Sequence, residues 1–280
     1  MLVRKEVVCS TEYDALKQVI VSSPDFMRIG KVINETQKQY QAENINQELA
    51  LAQHSQFVSV MRAHGVTVNV LPPQPALNEQ VFTRDIGFTI DSQVFIAKMA
   101  AEIRATETDY LKQFLATEGI SFQEIEAASI EGGDVIIDGD TVWIGISKRT
   151  TMKAINALAN DLPNHNIIPI QLKPEILHLD CTFNIIAPNI ALIYKNGLDE
   201  SAYQALQEQY TCIAVDEQEQ FTLGTNVLAI GNRRIVSLPE NKRVNRDLRA
   251  QGFNVIEVPF NEIIKSGGSF RCCTLPINRS

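Results

Sequence analysis

The chain has no excess of basic charge. Its 25 lysines and arginines stand against 33 aspartates and glutamates, a net charge of −8. A nucleic-acid partner, which needs a basic stripe, is therefore not expected. The N-terminal stretch MLVRKEVVCSTEYDALK holds no apolar run of signal-peptide length, and no later run is long enough to span a bilayer. These absences predict a cytoplasmic protein with no membrane partner. Cysteine is scarce and odd in number: Cys9, Cys181, Cys212, Cys272 and Cys273. An odd count without a leader argues against a disulfide framework. No CxxC pair exists, and His54, His64, His165 and His178 do not cluster with the cysteines, so no structural zinc site is expected. What remains is an ordinary globular composition, 45% hydrophobic and 21% charged over 280 residues, with reduced thiols of which one can serve as a nucleophile. No linker or shift of composition divides the chain, which predicts a single domain over residues 1–280.

What the chain does have is a period. FTRDIGFTIDSQVFIAKM, EGGDVIIDGDTVWIGIS, HLDCTFNIIAPNIALIY and GTNVLAIGNRRIVSLPE each read as a β-rich run, a short turn and a second β-rich run, the signature of a hairpin. A polar residue precedes each first run: Asp85, Asp134, Asp180 and Asn226. The first interval is 49 residues, the next two are 46, and a further 46 leads to Cys272. Such spacing marks a repeated supersecondary unit. Helical segments follow the hairpins over about 106–118, 150–160, 200–209 and 240–251, and each is followed by another β-like run. The stretch AENINQELALAQHSQFVSVMRAHG followed by VTVNVL supplies the same helix and strand for a further unit. The unit is ββαβ in five copies. The last hairpin lacks its second strand and LKQVIVSS near the N-terminus lacks a partner. Joining them closes a ring, a five-bladed pseudosymmetric α/β propeller, and closure is expected to remove exposed strand edges.

The repeat separates the adjacent cysteines. Ile86, Val135, Cys181, Val227 and Cys273 follow the polar position and form an apolar, buried register, so Cys273 reads as an inert thiol. Cys272 shares the register of Asp85, Asp134, Asp180 and Asn226, which in a closed ring converges near the axis at one end of a central cavity. His178, two residues before Asp180, shares a face with it if both lie on a strand. Glu131 precedes Gly132-Gly133-Asp134, where the glycines permit an unusual turn and close approach of a ligand. Asp134 is expected to hold backbone near the mouth. The convergent chemical set is Cys272, His178, Glu131, Asp85 and Asp180. Carboxylates around a thiol disfavour the thiolate unless a cation arrives. A guanidinium fits: it is planar, offers paired N–H donors to carboxylates and carries an electrophilic carbon.

These motifs, FTRD (82–85), EGGDV (131–135), SKRT (147–150), HLD (178–180) and GGSFRCCT (267–274), resemble those of the guanidino-group-modifying enzymes, the penteins. That superfamily includes arginine deiminases, dimethylarginine dimethylaminohydrolases and amidinotransferases. The resemblance implies a fivefold α/β propeller and catalysis without metal or organic cofactor. It implies Cys272 as nucleophile, His178 as acid and then base, and Glu131 as the carboxylate that orients them. It implies Asp85 and Asp180 as guanidinium ligands and Arg149 as the holder of a substrate carboxylate. Lys98 and Arg104 lie where dimethylaminohydrolases have a similar basic pattern. The length and Cys-Cys ending resemble dimethylaminohydrolases, whereas HLD resembles arginine deiminases and amidinotransferases. The expected activity is hydrolysis of a small arginine-like guanidino compound to a ureido product. The alternatives are transfer of the amidino group to an acceptor amine and a non-catalytic cation-binding role. Zinc on Cys272 and His178 would only inhibit. A homodimer is the only expected macromolecular assembly.

Overall fold

The computed structural model describes residues 6–280; the first five residues of the expected domain lie outside the described part. The chain opens with β1 (Leu16–Ser22), a short helix α1 (Glu35–Tyr40), a long helix α2 (Gln47–Ala63) and β2 (Thr67–Leu71). Four ββαβ units follow. They are β3 (Gly87–Ile90), β4 (Gln93–Ile96), α3 (Glu107–Thr117) and β5 (Phe122–Glu124), then β6 (Val135–Asp138), β7 (Thr141–Ile146), α4 (Met152–Asp161) and β8 (Asn166–Gln171). Next come β9 (Phe183–Ala187), β10 (Ile190–Ile193), α5 (Glu200–Gln209) and β11 (Thr211–Ala214), with a small helix α6 (Glu217–Phe221) behind them. The last full unit is β12 (Leu228–Gly231), β13 (Arg234–Ser237), α7 (Lys242–Ala250) and β14 (Asn254–Glu257), and β15 (Leu275–Arg279) ends the chain.

The turns follow from residue chemistry. Asp91, Gly139, Asn189 and Asn232 all take positive φ at the hairpin tips, where Asp, Asn and Gly tolerate the left-handed region best. Thr151 and Asp199 cap α4 and α5 by accepting the backbone N–H three residues on, which stabilises each helix by about 1 kcal/mol. In every unit the first strand is antiparallel to the second and the third is parallel to the second. β15 pairs antiparallel with β1, which pairs parallel with β2, so the two ends of the chain complete the fifth sheet. The fold is thus the fivefold α/β propeller expected from the period.

Burial grades across each blade. The first strands β3, β9, β12 and β15 are buried along their whole length, whereas the third strands are mostly half-buried or exposed. The first strands therefore surround the axis and the third strands form the rim. The five sheets remain separate. Closure joins the two chain ends and leaves five outer edges in place, contrary to the expectation that edges would vanish.

At one end of the axial strands the polar register is wired from unit to unit. Gly132 donates its N–H to the Asp85 carbonyl at 3.2 Å, Arg271 to that of Asn226 at 3.3 Å and Arg84 to that of Cys272 at 3.0 Å. The Leu179 N–H reaches the Asp134 carboxylate at 2.9 Å, and the Thr225 hydroxyl reaches the Asp180 carbonyl at 3.0 Å. The 46-residue period is thus a real contact between neighbouring units.

Candidate active site

Three turns at this end carry the chemistry. Glu131 is extended and ends one short 3₁₀ turn's approach, Gly132–Asp134. Its strand-like entry is fixed by the Lys98–Ile130 bridge, and its N–H bonds the Thr150 hydroxyl at 3.1 Å. His178 is likewise extended and precedes a 3₁₀ turn, Leu179–Cys181. The expected strand does not pass through His178 and Asp180. The turn instead sends them to different partners, His178 to Glu131 and Asp85 and Asp180 to Cys272 and Arg271. The glycines of EGGDV also differ from expectation. Neither takes positive φ, and what they admit is protein. A Cβ on Gly132 would lie 2.2 Å from the Arg84 carbonyl oxygen, and one on Gly133 would lie 2.7 Å from His178 Nδ1.

His178 Nε2 meets Glu131 Oε2 at 2.8 Å, and Nδ1 faces Asp85 Oδ1 at 3.6 Å. Burial alone would push the imidazole pKa down. Asp85, the hydrogen bond to Glu131 and Asp134 outweigh that and hold it up at about 9. Glu131 is held below the usual carboxylate range: burial opposes this, but its bond to His178 and the nearby charges prevail. Near neutral pH the pair is an imidazolium on a carboxylate. Asp134 is fully buried beneath this turn and bonds Leu179 N–H and the Ser147 hydroxyl. It holds backbone as expected, but in the interior, not at the mouth.

Cys272 is 2% exposed. Its Sγ lies 3.4 Å from Asp180 Oδ2 and 3.1 Å from Asn226 Nδ2. Burial first, then the charges of Asp180 and Asp85, push the thiol well above its ordinary value. Cys273 is fully buried in the core, with its thiol pushed up by burial. Asn226, placed in the register but not in the chemical set, proves to be a partner of the thiol: its Oδ1 also accepts the N–H of Cys272 at 3.1 Å.

Cys272, His178, Asp85, Arg104, Arg149 and Glu79 line one inner chamber of about 10 Å³, room for roughly one water-sized sphere. It adjoins an outer cavity of about 290 Å³; Ile33, Asn34, Arg149, Leu177 and Gly267 line both. Arg149 bridges Glu131 at 3.4 Å and donates to the Ile33 carbonyl. Arg104 is 3% exposed. It donates to Asp85 Oδ2 at 2.6 Å and grips Glu107. Asp85 Oδ1 and His178 Nδ1 are buried without a hydrogen-bond partner among the described residues and face each other as an ion pair too long for a hydrogen bond. Glu79, not singled out from the sequence, bonds Gln37 of α1 and Ser266 of the nucleophile loop. Burial pushes its carboxyl up to about 7 against Arg104 and these donors.

Two expected ligands are placed otherwise. Lys98 is exposed and donates to the Glu126 carbonyl at 2.7 Å; only its backbone serves the site, through the bridge to Ile130. Asp180 touches Cys272, but its Oδ2 is taken by Arg271 at 2.8 Å and it does not line the chamber. Arg271, 1% exposed, also holds Glu12 at 2.9 Å and the Val135 carbonyl. Asp85, Glu131 and His178 have ligand atoms within 4.8 Å of one another. Arg104 and Arg149 pair with those carboxylates, which disfavours a resident metal ion there.

The profile of the family described as N,N dimethylarginine dimethylhydrolase, eukaryotic, matches residues 24–279. This chain belongs to that family. It thereby joins the pentein superfamily and a group of hydrolases. YkgA of Bacillus subtilis is 49% identical over 98% of this chain and 96% of its own length. The arginine deiminase of Treponema denticola is 28% identical over 75% of this chain, which spans 63% of that protein. In shape the chain matches the N-terminal domain of ArgZ bound to product, an arginine dihydrolase of cyanobacteria. The TM-score is 0.87, with 22% identity over 95% of this chain and 98% of that one, and the likeness confirms the fold. The guanidino-enzyme resemblance carried by the five motifs is thus established at the level of family and fold.

Proposed function

We propose that this family member hydrolyses the guanidino group of arginine or a singly substituted arginine-like compound, and that residues 1–280 act as one catalytic domain in the cytoplasm. The observation that carries the reading is the inner chamber, whose lining brings together the buried Cys272 thiol, Asp85 and His178, the last paired with Glu131. The arginine deiminase among the relatives supports arginine as the substrate.

The chemistry follows from the charges. Cys272 rests as a neutral thiol because it is buried among carboxylates. A guanidinium bound to Asp85 Oδ1 adds the compensating positive charge, the thiol proton leaves to solvent, and the thiolate attacks the guanidino carbon. Asn226 Nδ2, at 3.1 Å, stabilises the sulfur anion. His178, protonated through Asp85 and Glu131, gives its proton to the departing nitrogen as the C–N bond breaks. Ammonia or an amine leaves and an S-linked thiouronium remains on Cys272. Neutral His178 then takes a proton from water as the water oxygen adds to the same carbon. Breaking the C–S bond releases the ureido product and restores the thiol. Glu131 holds the imidazole throughout. Arg149, at the junction of the chambers, faces the substrate carboxylate. Asp180, held by Arg271, acts through the sulfur it touches and is not a free guanidinium ligand.

A substrate panel of arginine, methylated arginines, agmatine and guanidinoacetate, scored for ureido product, tests this. Arginine is expected to lead, since dimethylation strips N–H donors from one nitrogen and leaves a buried acceptor unpaired. Such a loss costs about 1–3 kcal/mol, or roughly tenfold to a few hundredfold. A preference for dimethylarginine would refute the choice of substrate. Transfer to added glycine in place of hydrolysis would identify an amidinotransferase.

A further inference from the structure

The other end of the axis holds a second set of unpaired charges. The axial strands run from the polar register to the hairpin tips, four to five residues, so the two ends lie on the order of 15 Å apart. Across the tips lies the N-terminal strap, where Cys9 bridges Asp91 and Thr11 bridges Asp138. Beneath it Cys9, Thr11, Glu12, Arg84, Thr89 and Arg279 enclose a cavity of about 10 Å³, room for roughly one water-sized sphere.

Its charges do not balance. Arg84, Arg271 and Arg279, each 4% exposed or less, meet only two buried carboxylates, Glu12 and Asp180. Arg271 takes the best geometry with both. Arg84 reaches Glu12 only at 3.7 Å. Among the described residues Arg279 has no carboxylate within salt-bridge distance; its Nη1 donates to the carbonyls of Asp14 and Ala229. Arg84 Nη2 and Arg279 Nε and Nη2 have no acceptor among the described residues. Burying such donors unpaired is costly, more so when they are charged. Cys9 does not supply the missing charge: burial keeps its thiol neutral, pushed up to about 12. The Thr11 hydroxyl accepts the N–H of Tyr13 and Asp14, which leaves its own proton free to point inward.

We propose that this axial cavity binds one chloride-sized inorganic anion, held by Arg84, Arg279 and Thr11. The small cavity, with no larger chamber among the described residues sharing its lining, favours a monatomic anion over phosphate or a carboxylate metabolite. The anion supports the nucleophile loop from behind, because Arg84 donates its backbone N–H to the Cys272 carbonyl at 3.0 Å and its Nε to that of Thr274 at 2.9 Å.

The test uses the intact protein. Crystals soaked in bromide are expected to show anomalous density between Arg84 and Arg279. Melting in potassium chloride is expected to exceed melting in potassium gluconate at equal ionic strength, by about 2–4 °C once the site fills. The gap should close in Thr11→Val and in Arg279→Met. If Arg279→Met does not fold, the wild-type soak and Thr11→Val still decide. Density of water alone in the soaked crystal would overturn the proposal, as would equal melting in chloride and gluconate. Bromide density without a melting difference would mark an adventitious ion and overturn it too.

Discussion

The two ends of the propeller axis carry opposite surpluses. At the Cys272 end, carboxylates crowd a thiol and a histidine, and Asp85 Oδ1 lacks a partner. At the strap end, guanidiniums crowd one another, and three of their nitrogens lack partners. Burial of like charge pushes Arg84 down to about 10, with Arg271 and Arg279 adding to it, just as carboxylates push the thiol up. Arg271 lies between the ends and ties Asp180 to Glu12. Unsatisfied acceptors at the first end suit the N–H donors of a guanidinium, and unsatisfied donors at the second suit an anion.

Breaking each end separately should expose the difference. The largest effect is expected from Cys272→Ser, which removes the nucleophile and lowers kcat by roughly a thousandfold or more. Cys273→Ser, compared at equal folded fraction, should keep most of the activity, because Cys273 lies in the core and outside the chamber. Equal losses would break the separation of the two registers. Next, Arg271→Met should destabilise the fold by about 3–5 kcal/mol in urea unfolding, since it strips the buried Asp180 of its salt bridge and leaves Glu12 only the longer pair with Arg84. A loss under about 1 kcal/mol would mean that the two ends are independent.

The pH dependence sharpens the picture. His178 has a folded pKa raised from 6.5 to about 9. Its contribution to stability is therefore complete below pH 6.5 and is lost as pH rises through about 9. Free-enzyme NMR of labelled histidine should show that titration, and Asp85→Asn should bring the midpoint down by about one unit or more. An unmoved midpoint would place the cause elsewhere. The smallest effect is expected at Lys98: Lys98→Ala should change kcat/KM by less than about threefold, because the ammonium points away from the chamber.

The fold was legible because the ring repeats. The 46-residue spacing from Asp134 to Cys272 corresponds to contacts between neighbouring units, and five copies reinforce one another. The same register singles out Asp85 and Cys272, and it points to His178 and Glu131 as residues just before two of its positions; the fold brings Cys272, His178 and Asp85 to one chamber and pairs Glu131 with His178. Arg104 and Arg149 came from the family motifs. What failed was whatever the repeat does not encode. Glu12 lies on the N-terminal strap, which has no counterpart in the other units. Arg271 sits one residue before Cys272 and reads as an ordinary surface charge until Asp180 and Glu12 are placed around it. Asp180 was read as free for the same reason. The His178–Asp180 strand failed because a 3₁₀ turn intervenes where alternation was assumed.

The central claim is that Cys272 forms a covalent bond to the guanidino carbon. The direct measurement is peptide-resolved mass spectrometry of His178→Ala protein, acid-quenched after mixing with an arginine analogue that carries a good leaving group. Without its acid and base the enzyme should hold the intermediate. The Cys272 side chain is predicted to gain the mass of the substrate less the departed group, and Cys273 to gain nothing. An adduct on Cys273, or steady turnover with no adduct on Cys272, would contradict the account.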